Sequence, residues 1–297
     1  MTMASYSIKQ LSILSGVKAH TIRIWEKRYN LFSPNRTNTN IRRYSDDDLK
    51  FALNVSQLQA MGYKISHIAS LTPDEISTIV TKGNLHASPP FIPESLLESA
   101  INMDYDKFSD KINESIESKG LEWTYENLII PFQKRMGDLW LTGGILPAQE
   151  HFATNIIREK IISLTQTLPS PSKDSPKILF FLPENEFHEL GLLYSAYIAK
   201  SMGFRNLYLG QTVPIKDVLA LGNLHKVGIF FTSISKSIPE KEFIQLFEQI
   251  NSTFPNAAII ATGIQVEINR KLLPKKINSS SSPQHFKGLL ANLQKQK

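Results

Sequence analysis

The chain has 297 residues, 41% hydrophobic and 20% charged, too long for one ordinary domain of roughly 100–200 residues and rich enough in apolar side chains for two or three soluble cores. It has no cysteine, which excludes disulfides, thiolate zinc sites, iron–sulfur clusters and cysteine nucleophiles, and leaves histidine or carboxylate to hold any metal. The net charge of +6 is lopsided, with 10 Lys/Arg against 4 Asp/Glu in residues 1–71 and 23 of each in residues 72–297, so one small module is built to meet a polyanion and the rest has another task.

In chain order, Ser7 to Leu14 reads as a short helix with Ile8, Leu11 and Leu14 on one side, Ser15-Gly16-Val17 as a tight turn, and Lys18 to Tyr29 as a second helix. That is the helix-turn-helix layout, whose second helix enters the major groove. Its exposed side would carry Lys18, His20, Thr21, Arg23 and Arg28, donors suited to phosphates and base edges, with Ile22 and Trp25 turned inward. Two short helices alone equally describe a three-helix core with a solvated basic face. Pro34-Asn35-Arg36-Thr37 and Ile41-Arg42-Arg43-Tyr44-Ser45 then lead into an acidic helix start at Asp46-Asp47-Asp48-Leu49, a winged arrangement.

Asn84 to Pro93, NLHASPPFIP, carries a Pro-Pro pair and reads as a linker. A second break runs from Leu168 to Pro176, so the units are 1–83, 94–168 and 177–297 with 84–93 between the first two. The middle unit spaces Phe132, Met136, Leu139 and Trp140 by threes and fours, the mark of a small helical bundle. In the last unit, apolar runs at Ile178–Leu182, Asn206–Gly210, Val227–Thr232 and Ala257–Thr262 alternate with helical segments near 190–202, 215–224 and 240–251. Such alternation predicts a doubly wound α/β domain with a parallel sheet covered on both faces. Ser279 to Ser282 is expected to be a solvated loop. No apolar run approaches the roughly 20 residues of a membrane span, and Met1 to Lys9 lacks a secretory layout, so a cytoplasmic protein without a membrane partner is expected.

Two spacings carry chemistry. Glu186, His188 and Gly191 follow the first strand of the α/β unit, at the carboxyl edge of the sheet where ligands bind. An imidazole there could coordinate a metal through Nε2 while a carboxylate orients Nδ1–H, and the glycine would admit a bulky planar ligand; a solvated histidine and a surface carboxylate fit the same spacing. Trp140 is followed after nine residues by Glu150-His151, with Gly143, Gly144 and Pro147 expected in the turn between. Trp140 could equally be a bundle-core aromatic, and Glu150 an N-terminal helix charge.

Tyr6 to Leu11, Gly16-Val17, Thr21 to Glu26, Pro34, Arg36, Arg43-Tyr44-Ser45, Asp48-Leu49 and Met61-Gly62-Tyr63 resemble the MerR family of transcription regulators over about the first seventy residues. The resemblance implies a second helix in the major groove, a wing on phosphates and dimers on an inverted repeat of double-stranded DNA, with Arg23, Arg28, Arg36, Arg42, Arg43 and Tyr44 in contact. Asn40 stands where the family usually places a wing-turn glycine, and asparagine is the next most tolerant of left-handed backbone. With both later spacings in the same order, the chain resembles the cobalamin-binding light-sensing repressors of that family, the CarH type: winged helix, four-helix-bundle cap and Rossmann-like, flavodoxin-like cobalamin domain.

That resemblance makes His188 the lower ligand of cobalt and Glu186 its partner, with Gly191 beside them. It puts Trp140 over the upper face, Glu150 and His151 near the upper group, and Ser233, Ser235 and Gly263 around the nucleotide tail. Thr262-Gly263 stands where paired glycines are common. The implied cofactor is adenosylcobalamin, with methylcobalamin as the alternative. In the implied mechanism the dark form holds a tetramer made of dimers on an operator, made tight by multivalency, and light breaks the cobalt–carbon bond and dissociates it. Leu141, next to Trp140, has no donor atom with which to replace the lost group. A cobalamin enzyme is the competing class, but roughly 220 residues leave no room for a substrate-handling barrel, so no catalytic role is expected. A regulator acting through protein contacts without cobalamin is the remaining alternative.

Overall fold

A computed structural model of the chain describes residues 6–37, 40–73, 75, 76, 78–80, 92–141 and 145–295, and its contacts divide it into two compact units, Met1–Ile156 and Ile157–Lys297. Residues 84–91 of the expected linker lie outside the described residues, as do Gly143 and Gly144.

In the first unit, helix α1 (Ile8–Ser15) opens with a reciprocal cap. Ser7 Oγ accepts from the Gln10 amide, and the Gln10 side chain accepts from the Ser7 amide. Gly16 ends it in the left-handed region at φ 71°, which a Cβ would penalise. Helix α2 (Ala19–Tyr29) buries Ile22 and Trp25, and β1 (Asn35–Arg36) pairs antiparallel with β2 (Arg42–Arg43) to form the wing. Asn40 makes the wing turn at φ 61°. Helix α3 (Asp46–Ala60) repeats the reciprocal cap with Ser45 and Asp48, and α4 (Ile65–Ile68) follows. Leu11, Ile22, Trp25, Phe32, Tyr44 and Val55 share one core.

Four helices come next: α5 (Glu94–Ile101), α6 (Tyr105–Thr124), α7 (Ile130–Leu141) and α8 (Pro147–Thr167). Phe132, Met136 and Leu139 are fully buried, as their spacing predicts. A π-helical turn, Tyr125–Ile129, joins α6 to α7 just before Pro131, which has no amide hydrogen for the helical ladder. Pro147, expected in a turn, is instead the first residue of α8, where a missing N–H costs nothing.

The second unit alternates β3 (Lys177–Pro183), α9 (Leu190–Ser201), β4 (Arg205–Val213), α10 (Ile215–Leu224), β5 (Ile229–Ser233), α11 (Glu240–Thr253), β6 (Ala258–Thr262), α12 (Ile264–Ile268), β7 (Ile277–Ser279) and α13 (Pro283–Lys295). The strands are parallel in the order β4-β3-β5-β6-β7, the flavodoxin-like doubly wound order, with its switch point beside β3. Ile178 to Leu182 are completely buried because helices cover both faces, which is why the strand reads as an unbroken apolar run. The expected solvated loop at Ser279–Ser282 is a correction. Ser279 ends β7, Ser280 is buried and its amide donates to the Ala261 carbonyl at 2.8 Å, and Ser282 Oγ caps α13 through the His285 amide. An edge strand with a single apolar residue, Ile277, leaves no hydropathy signal.

Candidate functional site

At the N-cap of α2 Lys18 is exposed, and along the helix His20, Arg23 and Arg28 are exposed and Thr21 is half-buried, opposite the buried Ile22 and Trp25. The wing is braced against that helix by Glu26. Its carboxylate accepts from Arg42 Nε at 2.9 and 3.1 Å, lies 3.7 Å from Arg36, and accepts from the Tyr44 hydroxyl at 3.4 Å. Arg36 also donates to Asn40 Oδ1 at 2.7 Å, while Arg43 is exposed. Tyr44 is a correction: it is 1% exposed, its ring packs on Phe32, and burial, then the Glu26 charge, push its pKa up to about 12. It belongs to the module's core rather than to its basic face. Glu26 was not singled out from sequence, since nothing in a helix predicts which distant arginine will meet it.

On the helical bundle, Trp140 is half-buried, and the ammonium of Lys50, from α3 of the winged module, sits 5.0 Å from its ring centroid. Glu150 lies in the first turn of α8, accepts from Thr154 Oγ1 at 2.6 Å and is 2.9 Å from Nδ1 of the exposed His151.

In the second unit, the loop from β3 to α9 is organised around one carboxylate. Glu186 is 3% exposed. Its Oε1 accepts from the amides of Phe187 and His188 at 3.0 Å and pairs with His188 Nδ1 at 2.5 Å. Its Oε2 accepts from the amides of Ser235 and Lys236 at 2.6 and 2.7 Å. Burial pushes this carboxyl up, but the bond from His188 and the amides of Lys236 and His188 outweigh it and hold the pKa at about 2. The anion therefore ties the His188 loop to the loop after β5 and fixes the imidazole, which is 68% exposed. Ser233 is buried at the end of β5. A Cβ on Gly191 would meet no atom within 4 Å, whereas Gly263, at φ 102°, would place one 2.4 Å from the Ile234 carbonyl oxygen.

Residues 6–75 match the family model described as MerR HTH family regulatory protein, and residues 92–165 match the one described as B12 binding domain. The chain fits a MerR-family regulator with a cobalamin-binding domain. This regulator is 29% identical over 225 residues to the HTH-type transcriptional repressor CarH of Myxococcus xanthus, covering 73% of the chain and 75% of that protein. It is 24% identical over 209 residues to CarA of the same organism, covering 70% and 68%. Both are transcription regulators rather than enzymes. Its fold is shared with the monomethylamine corrinoid protein of Methanosarcina barkeri at a TM-score of 0.56 and 15% identity, over 67% of this chain and 96% of that one. No helix among the described residues is long and apolar enough to cross a membrane.

The residues of the regulator's second unit fit a cobalt macrocycle. A metal carried in a macrocycle needs only one or two protein side chains, as with haem, and the imidazole of His188, held by Glu186, is of the kind that could serve. Beyond the Glu186–His188 pair, Thr232 Oγ1 and Gln265 Oε1 are buried without hydrogen-bond partners. They lie at the carboxyl end of β5 and the start of α12, where a polar tail would supply those partners. Sequence reasoning also missed Glu189, which is 8% exposed and accepts from Arg158 Nε and the Tyr208 hydroxyl, both at 2.8 Å. The trio comes from α8, the β3–α9 loop and β4, so no local pattern announces it.

Proposed function

We propose that the regulator is a repressor whose DNA binding and self-association, as dimer or tetramer, are controlled by adenosylcobalamin and by light. In this reading residues 1–83 bind a double-stranded operator through Lys18, His20, Thr21, Arg23, Arg28, Arg36, Arg42 and Arg43, residues 94–168 form the cap, and residues 177–297 bind cobalamin. The bound group would supply a photolabile cobalt–carbon bond. His188 Nε2 would be its lower ligand, while Trp140, Glu150 and His151 would meet the upper group and Gly191, Ser233, Ser235 and Gly263 would border the rest.

The observation that carries the reading is the buried Glu186 anion on His188 Nδ1. A carboxylate in that position fixes the tautomer that leaves Nε2 as the ligating nitrogen and raises its basicity. The test is gel filtration with visible-absorbance detection after incubation with adenosylcobalamin in darkness, before and after green light. A cobalamin spectrum co-eluting with a large species that shrinks after illumination is expected, and His188→Ala should lose the base-off spectrum. No co-eluting cobalamin and a size indifferent to light would leave a DNA-binding regulator that acts through protein contacts.

A further inference from the structure

Beside the amino half of the edge strand β4, the second unit holds a cavity of about 640 Å³, a size typical of small-molecule sites. Ile162 of α8 and Leu193 and Ala196 of α9 give the lining an apolar wall, and Lys200, Arg205 and Asn206 are among its polar members. Lys200 Nζ donates to the Thr165 carbonyl at 2.7 Å and Arg205 Nη1 to the Lys173 carbonyl at 2.6 Å. Those acceptors carry no charge, and neither cation takes part in the ion pairs found among the described residues. Asn206 Nδ2 donates to the Ala196 carbonyl at 2.6 Å, which fixes the amide and leaves Oδ1 buried without a partner. A buried acceptor left so is costly until a donor arrives.

An apolar wall, two cations without an acidic partner among the described residues and one buried acceptor specify complementary chemistry. We propose that this cavity is a second ligand site, for an amphipathic anion with an apolar body, a carboxylate or phosphate head and a hydroxyl that donates to Asn206 Oδ1. Its occupant would also sit beside Arg158 and Tyr208, which line the cavity and both hydrogen-bond to Glu189, the residue after His188. None of the residues assigned to cobalamin lines it.

The experiment is isothermal titration of the full chain in darkness with 3-hydroxyoctanoate, octyl phosphate and octane-1,3-diol. Saturable one-to-one binding of at least one anion is expected, the two arms separating a carboxylate from a phosphate head, with the neutral diol weaker by about tenfold or more because it forgoes the charge-assisted bonds. Lys200→Gln with Arg205→Gln should erase that preference while leaving the diol unchanged, and Ile162→Trp should abolish binding of all three. His188→Ala should bind the anions as the natural chain does. Absence of saturable heat, a preference for anions that survives the double substitution, or loss of anion binding in His188→Ala would each overturn the proposal.

Discussion

Glu186 shows how much one side chain can organise. Its five donors are four backbone amides and one imidazole nitrogen, so replacing one oxygen by an NH₂ would set a donor against donors. Glu186→Gln is expected to lower stability by about 1–3 kcal/mol, read by urea denaturation, and to weaken cobalamin binding by roughly 10–100-fold, read by spectral titration. Lower stability with unchanged affinity would make Glu186 an anchor for its loop and nothing more. Gly263 is constrained differently: the chain passes so close to Ile234 that no side chain fits, and its left-handed φ adds strain to any replacement. Packing of the β6–α12 turn on the β5 loop therefore requires the glycine whether or not a ligand binds there.

At the scale of elements, the wing is held by Glu26 of α2 rather than by its own two-residue strands, which are too short to be stable alone. Tyr44 is part of that brace, and its titration is readable. Its pKa is raised from 10.0 to about 12, so the fold favours the neutral phenol. The resulting stability is fully present below pH 10 and is lost as pH rises through about 12. Compared with Tyr44→Phe, which has no such group, the natural chain should lose about 2–3 kcal/mol of relative stability across that window. Paired denaturation curves at several pH values measure it; a pH-independent difference would place the Tyr44 hydroxyl in contact with water in the folded state. The helical bundle teaches a related lesson, since the apolar spacing on α7 located its buried face but not the π-helical turn before it.

At the scale of the molecule, the winged module and the bundle meet within the first unit through Lys50 and Trp140. An upper group packed on Trp140 would compete with that ammonium, so Lys50→Met is expected to shift tryptophan emission and to tighten adenosylcobalamin binding in darkness. A cation over an indole contributes about 0.5–2 kcal/mol, which sets the gain at a few-fold to about thirtyfold; altered emission with unaltered affinity would show that Trp140 and the ligand do not share a surface.

The sequence by itself determined the module order, the helix-turn-helix with its wing, the parallel doubly wound sheet, and the Glu186–His188 spacing. These rest on local signals: caps, apolar periodicity, proline breaks and a two-residue separation within one loop. Tertiary structure alone decided that Tyr44 is core and that Glu26 clamps the wing. It alone brought the loop after β5 to Glu186, joined Arg158, Glu189 and Tyr208, and opened a cationic cavity beside Asn206. Each of those depends on side chains from elements far apart in sequence, whose partners are chosen by burial and by the demand that buried polar groups be satisfied, and no window along the chain carries that information.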